Sequence, residues 1–90
     1  MTEATNNKPI HVLRRRGVKV SIFQNQSGEF TFHKVAVQKI YREDGGDWKT
    51  TASLGRDDLP IAIMLLGRAW EYIVDLEAES REQATQEFGS

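Results

Sequence analysis

The chain has 90 residues, no cysteine and a formal net charge of minus one. That leaves room for one small domain and excludes a second core, disulfide bonds and cysteine-ligated metal. A domain this short buries only about 60% of the surface its unfolded chain exposes, so oligomerisation is the expected remedy and a homodimer is predicted.

Residues 1–8 (MTEATNNK) are polar, lack the apolar core of a signal peptide and read as a flexible tail. Residues 9–79 read as the single domain, and residues 80–90 as a polar C-terminal extension. The longest apolar run is IAIMLL, at positions 61–66. It falls far short of a bilayer span, which takes roughly 18 residues. A soluble, intracellular protein is expected.

Residues 9–16 (PIHVLRRR) predict a short first strand with Ile10, Val12 and Arg14 on one face, ending at Gly17. Val18, Val20 and Ile22 then alternate with Lys19, Ser21 and Phe23, the period-two pattern of a half-buried strand. Residues 25–28 (NQSG) carry turn chemistry and predict an antiparallel hairpin. Residues 29–42 are rich in strand formers but of mixed phase. Phe30, Phe32, Ala36 and Ile40 share one parity and Val35, Val37 and Tyr41 the other, so a bulge or bend is expected. Residues 43–47 (EDGGD) predict a second hairpin turn. The last strand is expected over residues 48–54, with Trp48, Ala52 and Leu54 on one side and Lys49, Thr51 and Ser53 on the other.

After Leu54 the period changes from two to about 3.6. Asp57 or Asp58 is expected to cap a helix with Pro60 in its first turn, running from about Leu59 to about Glu79. Leu59, Ala62, Ile63, Leu66, Ala69, Trp70, Ile73 and Leu76 form one broad stripe predicted to face the sheet. Ile61, Met64, Leu65 and Tyr72 lie off it. A helix this apolar needs cover on two sides, and the second is assigned to the same helix of another copy. The predicted fold is α+β: a four-stranded antiparallel β-sheet followed by one long C-terminal helix (ββββα), a helix-mediated homodimer with Ile61, Met64, Leu65 and Tyr72 at its interface.

The charge divides along this fold. Residues 1–56 hold ten Lys and Arg against five Asp and Glu, whereas residues 57–90 hold two against eight. A basic half suits an anionic partner, and the acidic C-terminal segment is a second candidate surface, for protein partners.

The chemistry-bearing residues give no catalytic constellation. His11 and His33 have no cysteine partners and no metal-ligand spacing, phosphate-loop and nucleophile-elbow motifs are missing, and Glu43, Asp44 and Asp47 read as a charged turn tip. No enzymatic activity, metal or cofactor is expected. A binding surface is suggested instead by Lys19 with Phe23, Lys39 with Tyr41, and Lys49. If these sets share a face, lysines would neutralise phosphates while aromatic rings stack on bases, the needs of single-stranded nucleic acid. The bland alternative makes Phe23 and Tyr41 packing residues and the lysines solubilising ones. Arg14, Arg15 and Arg16 add a basic run that could contact phosphates or a partner's acidic segment.

Within residues 18–73, the order of elements and several short motifs resemble the positive cofactor four family of transcriptional coactivators. Val18, Val20 and Phe23 approximate its first V-x-V strand, Lys39 and Tyr41 its R-x-Y, Lys49 the lysine after its acidic turn, and Ser53 and Leu54 its S-L. The resemblance implies a ββββα protomer that dimerises through its helices, binds single-stranded DNA on its sheets and has no enzymatic activity. Arg42 stands where that family has tryptophan, and Thr51 and Ala52 replace a lysine-glycine pair. The expected function is single-stranded DNA binding with little sequence preference, through Lys19, Phe23, Lys39, Tyr41 and Lys49, aided by Arg42 and Arg14 to Arg16. Transcription, replication and recombination all use such a surface. The rival expectations are a dimeric protein-interaction module and an RNA-binding regulator.

Overall fold

A computed structural model describes the backbone of residues 8–89 and the side chains of residues 8–80. The expected tail falls almost wholly outside the described residues. Four strands, β1 (His11–Arg15), β2 (Val18–Ser27), β3 (Phe30–Arg42) and β4 (Trp48–Thr51), form one antiparallel sheet in the order β1-β2-β3-β4. A single 3-10 turn (Arg56–Asp58) leads into helix α1 (Leu59–Gly89). The ββββα order is as expected, but α1 runs beyond Glu79 through most of the polar extension.

Three tight turns make the sheet an uninterrupted meander. Between Arg15 and Val18, Arg16 has φ 54° and Gly17 has φ 82°. A two-residue hairpin with two left-handed positions requires such values. Gly17 also lies close beneath β3, since a Cβ there would sit 3.2 Å from the Ile40 carbonyl oxygen. Gly28, at φ 63°, opens the loop joining Ser27 to Phe30. Asp44 and Gly45 turn the third hairpin, where Arg42 Nε donates to the Gly46 carbonyl at 3.0 Å.

No bulge interrupts β3. Its register with β2 runs unbroken from Val18 opposite Lys39 to Ser27 opposite Phe30, and continues on the other edge from Lys39 opposite Thr51 to Arg42 opposite Trp48. The mixed phase of β3 therefore reflects two genuinely different faces. Odd-numbered residues of β3 share a face with Val18, Val20 and Ile22; even-numbered ones share the opposite face with Lys19, Ser21 and Phe23.

The helix covers the first of these faces. Val18, Val20 and Ile22 are fully buried against Ala62, Leu65 and Ala69, with Ile10, Leu13, Val37, Leu54, Ile61, Met64, Tyr72 and Ile73 around them. This corrects the expected helix orientation. Leu65, assigned to the dimer interface, is 2% exposed in the core of its own protomer, and Tyr72 stacks on His11 of β1 with ring centroids 4.2 Å apart. Ile61 and Met64 are half-buried against the same core. The physical reason lies in side-chain size. Ala62 and Ala69 let the helix axis approach the sheet while Leu65 between them fills the gap, which bulky Ile63 and Trp70 do not permit. Those two face outward, 70% and 65% exposed, in line with the exposed Leu59 and Leu66.

The entry to α1 also differs from expectation. Asp58 does not cap α1 but reaches back, its Oδ2 accepting the Gly55 N–H at 2.8 Å while the Gly55 carbonyl accepts the Asp58 N–H at 3.0 Å. Asp57 is exposed, its carboxylate 3.9 Å from Arg56.

Candidate nucleic-acid interface

The face of the sheet turned away from α1 is assembled by the register alone. It carries Val12 and Arg14 from β1, Lys19, Ser21 and Phe23 from β2, Phe32, Lys34, Ala36, Gln38, Ile40 and Arg42 from β3, and Trp48 and Thr50 from β4. Cations and aromatics meet in direct cross-strand pairs: Arg14 stands opposite Lys19, Phe23 opposite Lys34, and Arg42 opposite Trp48. Lys34 Nζ lies 5.7 Å from the Phe32 ring centroid. The Arg42 guanidinium lies 5.8 Å from the Trp48 ring centroid. Both separations fall within cation–π range. Between them the small side chains of Ser21 and Ala36 pair in register, and Ser21 is buried.

None of the four strands contains an Asp or Glu. Among the described side chains of α1, the acidic residues Glu71, Asp75, Glu77 and Glu79 lie on the other layer, joined there by Arg68. The strands carry cations on both faces, and the carboxylates of the sheet region are confined to its turns, at Glu29, Glu43, Asp44 and Asp47, so the outer face is basic although the whole chain is nearly neutral.

Of the residues expected at the site, Lys19, Phe23, Arg42 and Arg14 come together on this face. Arg15 takes the opposite parity, and Arg16 occupies the hairpin turn. Lys39, Tyr41 and Lys49 lie on the helix-side face and do not join Lys19 and Phe23. Lys39 is engaged there with Asp58 at 2.5 Å, both side chains largely shielded, and Lys49 pairs with Glu43 at 2.9 Å. The Lys39 bond, followed by the Gly55 N–H, holds the Asp58 carboxyl below the ordinary aspartate range, against the opposing effect of its desolvation.

Sequence reasoning missed Phe32, Lys34 and Trp48. An unbroken period of two across β3 was the signal that would have found the first two. Trp48 was expected on the same side of the last strand as Leu54, but β4 ends at Thr51, where Thr51 Oγ1 accepts the Ser53 N–H at 3.1 Å. The chain then turns, so Leu54 reaches the core while Trp48 stays 67% exposed.

Behind the sheet, a cleft of about 440 Å³ is lined by Gln24, Thr31, His33, Leu76, Glu77, Glu79 and Ser80. Its two glutamates make it unfit for a polyanion. Among the described residues no group of three or more His, Cys, Asp or Glu is placed to hold a metal ion, and no helix is long and apolar enough to cross a membrane. No family model, no curated protein and no solved structure matches this chain.

Proposed function

We propose that this protein is a non-enzymatic binder of single-stranded DNA, with little sequence preference, acting on the outer face of its sheet. One observation carries the reading: Arg14, Lys19, Lys34 and Arg42 share that face with Phe23, Phe32 and Trp48, in a sheet whose strands contain no carboxylate. The cations neutralise phosphates and release counterions. The rings stack on unpaired bases, each worth about 1 to 3 kcal/mol and indifferent to base identity. Duplex DNA buries its base faces and offers the rings nothing, so unpaired strands are favoured. The ββββα order and the motifs shared with positive cofactor four support the same reading, although Lys39 and Lys49, which carry part of that resemblance, are tied into ion pairs.

The proposed protein works as a homodimer joined helix to helix. The apolar stripe of Leu59, Ile63, Leu66 and Trp70, left bare by the sheet, supports this. Such a dimer carries its two basic sheets on its outer sides, with the acidic helices between them.

The test is titration of a fluorescent oligothymidine at increasing salt. Binding should be strong at low salt, weaken steeply as salt rises, and resist competition by duplex of the same length. No binding at low salt would refute the proposal, and preferential competition by the matching RNA oligomer would reassign the surface to RNA.

A further inference from the structure

We infer that two copies of this chain pair their helices antiparallel, about a two-fold axis lying between Leu66 and Gly67. The inference rests on the helix-to-helix dimer proposed above and specifies its register. Gly67 is the starting observation. A glycine inside a helix costs stability relative to alanine, and a Cβ built at Gly67 meets nothing within 4 Å, so the protomer has no packing use for it. It borders the exposed apolar stripe, next to Leu66 and three residues before Trp70. A knob and a hole so close together on one surface are what a self-complementary two-fold contact requires.

The spacing then closes on itself. With the axis between Leu66 and Gly67, Leu66 of each copy lies over the partner's Gly67, Ile63 against the partner's Trp70, and Leu59 against the partner's half-buried Val74. The next pair outward sets Arg56, at the 3-10 turn, beside the partner's Glu77. Within its own protomer the Arg56 guanidinium has Asp57 at 3.9 Å, with both side chains almost fully exposed. Large side chains meet smaller ones along the whole seam and opposite charges close both ends. A parallel pairing instead sets Trp70 on Trp70 and Glu77 on Glu77, and leaves Gly67 facing Gly67.

Because the chain has no native cysteine, Ala78→Cys carries a single nitroxide spin label per protomer, and the label-to-label distance is read by double electron–electron resonance. The antiparallel register places the labels about 35 Å apart, at about 1.5 Å per residue along the helix; a parallel pair holds them within about 20 Å. Sedimentation of Gly67→Leu, a change that favours the helix itself, should show a dissociation constant raised about tenfold or more as the hole is filled. A short label distance, or an unchanged dissociation constant in Gly67→Leu, overturns this register while leaving the dimer standing. Wild-type protein that sediments as a monomer overturns the dimer and the register together.

Discussion

Lys39 of β3 and Asp58, the last residue before α1, form an ion pair at 2.5 Å, and the same carboxylate accepts the backbone N–H of Gly55. One side chain thus ties the sheet to the entry of the helix. This recasts Lys39, expected to meet phosphate, as a structural residue. Lys39→Met and Asp58→Asn should each lower the urea midpoint, and the double mutant should lose less than the two together because the groups share one interaction. Oligothymidine affinity of Lys39→Met should equal that of wild type; a loss of affinity with an unchanged midpoint would return Lys39 to the binding surface.

The same pair gives a pH dependence of defined sign. The Asp58 carboxyl titrates lower in the folded protein than in the unfolded chain, chiefly through Lys39. Its contribution is therefore complete above the unfolded value of about 3.9 and is lost as pH falls through the lower folded value. Urea midpoints of wild type and Asp58→Asn should differ at pH 7 and converge in acid. Curves that stay parallel down to pH 3 would contradict the assignment.

Gly17 and Leu65 test the fold at two independent points. Gly17→Ala forces a side chain into a left-handed position below the Ile40 carbonyl and should cost about 1 to 2 kcal/mol. Leu65→Ala should cost about 2 to 5 kcal/mol by opening a cavity in the core, whereas Ile63→Ser, on the bare side of the same helix, should leave the fold intact and weaken self-association. Denaturation and sedimentation of the three variants separate these outcomes. Equal destabilisation by Leu65→Ala and Ile63→Ser would mean that the helix is rotated from the orientation described.

These contrasts show how much the sequence made legible. Alternation through Val18, Val20 and Ile22, the glycine-bearing turns and the apolar segment after Pro60 were enough for ββββα. Helix orientation was not, because α1 is apolar on two sides and the choice between them falls to the small size of Ala62 and Ala69 where they meet the sheet. The site was half legible for a related reason. Assigning Lys19 and Phe23 to a face needs only one strand's period, but joining them to Lys39, Tyr41 and Lys49 needed the cross-strand register. That register places Lys34 opposite Phe23 and puts Lys39 opposite the buried Val18.

On the outer face, phosphate and base contacts should separate in their response to salt. Lys19→Ala and Lys34→Ala should each reduce the slope of log affinity against log salt by about 0.7. Phe23→Ala should weaken binding by about 1 to 3 kcal/mol with the slope unchanged. Fluorescence anisotropy across a series of salt concentrations distinguishes the two kinds of residue; a slope changed by Phe23→Ala and untouched by both lysine variants would contradict the division of labour.

The two tryptophans allow the most direct test of the proposed surface, because each marks one side of the molecule: Trp48 the outer face of the sheet, Trp70 the bare side of the helix. Their indole N–H signals can be followed together in a nitrogen-15 correlation spectrum while oligothymidine is added. Binding on the outer face predicts that the Trp48 signal shifts to saturation and the Trp70 signal stays in place. Movement of Trp70 with Trp48 unmoved would place the strand on the helix side and contradict the account.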